Sequence, residues 1–432
     1  MQCLATLRQL LAELSKALEA GDLAGGETRN SSTDSGAPLK TESLEKNLKL
    51  ITFKDSDIRF WKRMPKATAF NTVEEYNQLK SYGADRGGFN NEGELPEEED
   101  SVYVRRAELV KFLGVTKSVS HPMQLVNTNV GNIVQREVTN GIQWILRKAD
   151  KGLFWGNDKT TPQEWRGLYA QHASNDDFAN FVKSFHDSKL IQPNTPQVTN
   201  GVMGQRVQKF QSQFGEIDLE YDIFAAKAGP RKVADIATSS KAPGAVTPGA
   251  APAVAGTAGA GVVSRFAAED AGDYIYAVAA KNRYGESTPT QLGAGAISVT
   301  AGQEVDLEFT DGGGAYAATG YVVYRSKVDQ TVAGGLLYPI FEISTSELAT
   351  GYDGAAAGHV NDINRWLPGT EQAMLMQGDS EVMEFKQLAP LMKMDLALLG
   401  PSQRFMCLLY GTPILYAPRK MVRFINVGTA TA

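Results

Sequence analysis

Four histidines, two cysteines and one dense run of carboxylates are the residues of this 432-residue chain best suited to catalysis or metal binding. His121, His172, His186 and His359 stand far apart, and no two lie at a metal-ligand spacing. Neither Cys3 nor Cys407 has a thiol or imidazole near it in sequence. A tetrahedral metal site needs three or four such donors together, so none is expected, and no cofactor either. Two cysteines build no disulfide framework, and a reducing compartment is the simpler assumption. Walker A, dinucleotide-binding and nucleophile-elbow motifs are missing from the sequence. Gly312, Gly313 and Gly314 follow Asp311 in a β context, which suits a strand loop better than a phosphate cradle. The chain is expected not to be an enzyme.

Between Glu92 and Asp100 stand six carboxylates in nine positions: Glu92, Glu94, Glu97, Glu98, Glu99 and Asp100. Three roles are open to them. A divalent ion would need oxygens converging at fixed short distances, which neighbouring glutamates on a loop do not guarantee. A solvated face needs nothing further. As a partner for a basic surface on another copy, the run would stay extended by self-repulsion until that surface meets it. Residues 40–66 supply a candidate: eight basic residues against four acidic, among them Arg59, Lys62, Arg63 and Lys66. Arg147, Lys148 and Lys151 are a second basic group, either a solvated helix face or a contact for nucleic acid.

The elements that must carry these groups follow from apolar spacing. Leu4, Leu7, Leu11, Leu14 and Leu18 mark an amphipathic helix before a soft tether, together residues 1–39. Residues 40–83 read as an extended arm, with Thr72 and Glu75 as a capping box for a short helix through Val73, Tyr76 and Leu79. Residues 84–128 read as an extended two-stranded ribbon with a poorly packed, acidic tip. Two strands alone are marginal in water, so a neighbouring copy is expected to hold it.

Val134, Val138, Ile142, Ile145, Ala149 and Leu153 then line one face of a helix over residues 132–156. Gly141 in its middle allows a bend or a close approach. Shorter helices are expected around Phe178–Phe185 and Met203–Phe214, within a segment 129–230. An Ala/Gly/Pro-rich linker spans 231–262. Alternating runs such as Tyr274–Tyr276–Val278 and Val305–Leu307–Phe309 predict a β-sandwich over 263–369. Residues 370–432 return to mixed structure, with a helix around Val382–Met392 broken by Pro390, then strands.

The formal net charge of −6 argues against wholesale wrapping of nucleic acid but permits a local basic face. Residues 242–264 form the longest uncharged stretch, and their Ala, Gly and Pro cannot hold a spanning helix, so no membrane partner is expected.

The order of these parts resembles the major capsid proteins of tailed double-stranded DNA bacteriophages, with the HK97-type fold. The likeness begins at SLEKNLKLITFKDSDIRFWKRMPKATAFNTVEEYNQLKSYG, residues 43–83, which resembles their N-terminal arm. Residues 84–127 resemble the E-loop and 132–156 the spine helix. FGEIDLEYDIF (214–224) and SQRFMCLLYGTPILYAPRKMVRFINVG (402–428) resemble core segments on either side of an insertion. Within that insertion, DYIYAVAAKNRYGES (273–287) and GYVVYRS (320–326) resemble an immunoglobulin-like or fibronectin type III module, rising from the shell on the linker.

The resemblance implies an α+β class with peripheral and axial domains plus the all-β insertion. It implies hexamers and pentamers closing into an icosahedral phage head, assembled in the host cytoplasm. Partners would be a portal, possible scaffold and decoration proteins, and packaged DNA. Residues 4–18 are too short for a large cleaved scaffold. Lys111 and Lys117 lie on the ribbon, but no motif supplies a crosslinking asparagine or a catalytic Glu, so no covalent crosslink is expected. The alternative is an adhesion or decoration protein whose sandwich binds carbohydrate or protein.

Overall fold

The computed structural model describes residues 55–83, 89–93, 95, 98–126, 132–174, 182–184, 209–212, 215–218, 222–224, 239–256, 264–329, 336–397 and 400–428. The helix expected at Leu4–Leu18, the tether expected after it, Glu94 and Glu97 lie outside them.

A helical turn at Phe60–Arg63 leads into β1 (Lys66–Thr68), β2 (Val73–Ser81), β3 (Val102–Leu109) and β4 (Lys111–Ser120). The expected helix at Val73–Leu79 is thus a strand, and it is the first strand of the ribbon. β2 and β3 pair antiparallel from Val73↔Leu109 to Ser81↔Val102, while β4 leaves the ribbon for the body. An apolar residue every third position fits either a helix or a two-faced strand, and pairing with β3 decides for the strand. Instead of capping a helix, the neighbouring Glu74 accepts the N–H groups of Phe70 and Asn71 at 2.8 and 3.2 Å.

The long helix runs Ile133–Trp155, as its spacing predicts, and buries Ile145, Ala149, Leu153 and Phe154. At Gly141 a Cβ would stand 3.2 Å from Cys407 Sγ, so this glycine serves a close approach of helix to sheet. A short helix, Leu168–Ala173, follows. β5 (Val182–Ser184) and β6 (Lys209–Ser212) then stand where helices are expected, and β7 (Gly215–Asp218) follows β6. β6 and β7 form a hairpin, and β5 joins a sheet described below. Runs this short do not separate the two periods, and the pairing partners settle them.

The inserted sandwich contains β8 (Thr247–Pro248), β9 (Ala253–Gly256), β10 (Gly272–Asn282), β11 (Gly285–Glu286), β12 (Thr290–Val299), β13 (Gln303–Thr310), β14 (Gly320–Ser326), β15 (Leu337–Ser344) and β16 (His359–Asp362). One sheet has β10 and β14 at its centre; the other has β13 between β16 and the pair β8, β9. Part of the expected linker is therefore structure, because β8 and β9 lend backbone hydrogen bonds to the edge of β13, which needs no side-chain bulk. Tyr276, Val278, Leu307, Phe309, Val323 and Ile343 fill the space between the sheets.

β10 and β14 are buried on both faces, with Ile275, Ala277, Val322 and Tyr324 forming a second cluster. A sandwich has one interior, so the second face is covered from outside it. The loop after the long helix makes such a contact. Lys159 pairs with Glu347 at 2.9 Å, and a Cβ on Gly320 would come within 2.8 Å of the Thr160 Cβ. Rather than rising on a free tether, the sandwich is seated on the body.

β17 (Glu371–Leu375), β18 (Met383–Asp395), β19 (Ser402–Leu415) and β20 (Val422–Val427) complete the chain. The expected helix at Val382–Met392 is the strand β18. Its ladder with β19 slips between Gln387 and Ala389 and again before Met392, and these irregularities accommodate Pro390. β19 runs unbroken through Gly411 and Pro413 instead of splitting in two. The central sheet has the order β1-β18-β19-β4, and a smaller sheet has the order β17-β20-β5. Phe385 and Leu409 of the central sheet share one core with Ile145 and Leu153 of the long helix.

Candidate functional site

The ribbon has two unlike faces. Its inner face carries Tyr76, Gln78, Arg106 and Glu108. Gln78 Nε2 donates to the Tyr416 carbonyl at 2.5 Å, and Tyr76 meets the Tyr416 ring edge-on at 5.2 Å. Arg106 Nε donates to Gln78 Oε1 at 2.8 Å. Glu108 is buried and lies 3.5 Å from Arg166, in the loop that follows the long helix. Burial, against the pull of Arg166, pushes the Glu108 carboxyl up to about 7. The expected ribbon therefore rests one face on its own chain.

Its outer face is covered by nothing within the described chain. Val73, Leu79, Tyr103 and Leu109 are exposed there, paired Val73↔Leu109 at the base and Leu79↔Tyr103 toward the tip. Between them Arg105 reaches Glu75 at 3.5 Å. Nearby, Tyr82 is 86% exposed, Phe89 fully so and Leu95 90%. So many large apolar side chains in open water mark a contact surface. Glu98, Glu99 and Asp100 are exposed beside them, as the sequence predicts for the acidic tip.

The arm differs more from expectation. Ile58, Trp61 and Met64 are buried in the chain's own core, with Trp61 edge-on to Phe385 at 4.7 Å. Order in residues 58–68 therefore comes from within the chain. Three consecutive backbone amides fix this turn. Asp150 accepts from Arg59 N at 3.2 Å and Trp61 N at 2.8 Å, and Asp222 accepts from Phe60 N at 3.4 Å. Burial first, then the charge of Asp222, pushes the Asp150 carboxyl up to about 7.

Arg59, Lys62, Arg63 and Lys66 remain exposed on the outside of this turn. Lys62 pairs with Asp55 at 2.6 Å, and Lys66 donates to the Trp61 carbonyl at 2.9 Å. On the long helix Lys148 and Lys151 are exposed and Arg147 half-buried, with Lys148 set 5.8 Å from the Trp144 ring.

Sequence reasoning missed Asp150 and Asp222. The available signal was position, since Asp150 sits beside Ala149 in the apolar stripe, where an acid must find donors. Among the described residues no group of three or more His, Cys, Asp or Glu side chains could hold a metal ion.

No protein-family model matches the chain. It is 24% identical, over 98% of its length and 97% of the relative's, to a protein of Enterococcus phage phiEF24C that carries a major-capsid-protein name. It is 22% identical to the major capsid proteins of Staphylococcus phages S25-3 and K, over 93% of this chain and 92% of each relative. Similar solved structures include those titled for Mycobacterium phage Bobi (TM-score 0.38, 11% identity, 93% of this chain and 100% of that one) and Mycobacterium phage Cain (TM-score 0.39, 11% identity, 94% and 100%). Those superpositions are loose, and the weight rests on the sequence relatives.

Proposed function

We propose that the chain, a relative of phage major capsid proteins, has their HK97-like fold and closes with further copies of itself into the head that encloses double-stranded DNA. The observation that carries this reading is likeness to capsid proteins over nearly the full length of both chains. The one-sided ribbon supports it, because its uncovered apolar face calls for a neighbour.

In this reading the copies form hexamers and pentamers of an icosahedral shell assembled in the host cytoplasm. The ribbon's outer face and acidic tip, including Glu94, Glu97, Glu98, Glu99 and Asp100, meet a neighbouring copy. Arg59, Lys62, Arg63 and Lys66 offer that tip a basic partner. Charges of this kind set register and partner choice more than affinity. Arg147, Lys148 and Lys151 are proposed to face the packaged DNA. Portal, scaffold and decoration proteins are the further partners. Each contact is modest, and closure of the shell makes them collectively hard to leave.

The size of the expressed full chain tests the function. Light scattering and negative-stain images are expected to show large closed particles. A chain that stays monomeric at every concentration, with or without a co-expressed scaffold, would refute it, and cell binding by such a monomer would favour an adhesion role. Arg59→Glu, Lys62→Glu and Arg63→Glu together should reduce particle yield while the melting temperature of the unassembled chain holds. Normal yield would reject the basic arm as an assembly contact.

A further inference from the structure

Asp150 and Asp222 meet where the arm turn docks on the long helix, and nothing in shell closure explains why two acids are placed there. Asp150 belongs to a helix face that is otherwise apolar, and its side chain is wholly buried. Asp222 approaches from a different segment and hydrogen-bonds it. Two carboxylates cannot hydrogen-bond to each other without a proton between them. From the described arm turn the pair receives the backbone N–H groups of Arg59, Phe60 and Trp61.

Arg59, Lys62 and Arg63 on the arm turn are exposed, and Lys62 is drawn to Asp55. On the long helix itself Arg147 is half-buried, while Lys148 and Lys151 are exposed. The sheet contributes Phe385, Phe405 and Leu409 to the same core, and the short helix contributes Leu168 and Tyr169. Asp222 is the charged group that acts on Asp150.

We propose that a proton held between Asp150 and Asp222 latches the arm turn onto the long helix, so that the arm's hold on its own chain weakens as pH rises. The docked turn keeps the proton, whereas an undocked turn leaves Asp150 in water as an ordinary acid that releases it. Opening is therefore coupled to loss of one proton between the ordinary carboxylate range and the value of about 7 that the docked Asp150 takes. It grows about tenfold per pH unit from about pH 4 to about pH 7 and levels off above that. The device sits at the root of the arm, so it sets how readily the basic turn can leave its own subunit for another.

Amide hydrogen exchange of the intact, unassembled chain tests this, with rates corrected for the intrinsic pH dependence of exchange. Protection of the Arg59–Trp61 amides should fall about tenfold per unit from about pH 4 to about pH 7, then plateau. Core peptides of β10 should show no matching slope. Asp150→Asn removes the titrating group and should flatten the profile, with lower protection throughout. Asp222→Asn, which leaves Asp150 in place, should move the plateau to lower pH. A flat wild-type profile would overturn the proposal, as would an equal slope in β10. So would a slope that survives Asp150→Asn, or a plateau that Asp222→Asn leaves in place. If Asp150→Asn does not fold, the wild-type and Asp222→Asn profiles decide alone.

Discussion

Arg325 lies wholly buried in the sandwich and is a stringent test of its packing. Its guanidinium donates to Asp362 at 2.5 Å and to Asn364 Oδ1 at 2.6 Å, and it stands 5.1 and 5.3 Å from the Tyr274 and Phe266 rings. Asp362 also accepts from the Tyr276 hydroxyl at 2.9 Å. Such a pair contributes little beyond an apolar substitute, but breaking it leaves an uncompensated charge. Arg325→Leu should destabilise the chain by about 3–5 kcal/mol, measured by urea unfolding. Arg325→Leu combined with Asp362→Leu should recover part of that loss. Tyr321 to Arg325 reads as a strand, but nothing in GYVVYRS reveals that its arginine is buried, because the partners Asp362 and Asn364 lie far along the chain.

The ribbon is the element where sequence and structure disagree most usefully. Its acidic tip, its exposure and its lack of a third strand are legible from residues 84–104. Its first strand is not, because V-E-E-Y-N-Q-L-K-S keeps a spacing that suits a helix, and only β3 opposite makes it extended. The long helix was legible almost to its ends, since six apolar residues on one face over twenty positions admit one reading. Leu79→Ser with Tyr103→Ser acts on the outer face alone. Chain stability, followed by circular dichroism melting, should change by less than about 1 kcal/mol, while the yield of closed particles falls sharply. An unchanged yield would assign the ribbon's apolar face another role.

At the scale of the molecule, the sandwich and the body are joined at more than the two chain crossings. Thr160 Oγ1 lies 3.4 Å from Glu342, and Leu367 N donates to Asn426 Oδ1 at 2.9 Å. Gly320 carries much of this seat, because a side chain there would meet both the Ile343 carbonyl and Thr160 at 2.8 Å. Gly320→Val should therefore cost about 1–3 kcal/mol and split a single calorimetric transition into two. Composition made the inserted module legible as a module, but the Ala/Gly/Pro linker gave the misleading impression of a free hinge. Contacts between distant surfaces leave no local trace in such a stretch.

The order β1-β18-β19-β4 has a consequence for how the protein is made. A ribosome releases the arm and the ribbon early, but the two strands that sit between β1 and β4 are encoded at residues 383–415. At ~5–20 residues per second, β4 waits roughly 15–60 s for its partner β19. The sandwich, encoded in the interval, can complete its own sheets before that partner exists. A polypeptide cut short ahead of residue 402 keeps β18 for β1 but has no β19 for β4, and it lacks Tyr416, on which the ribbon's inner face rests.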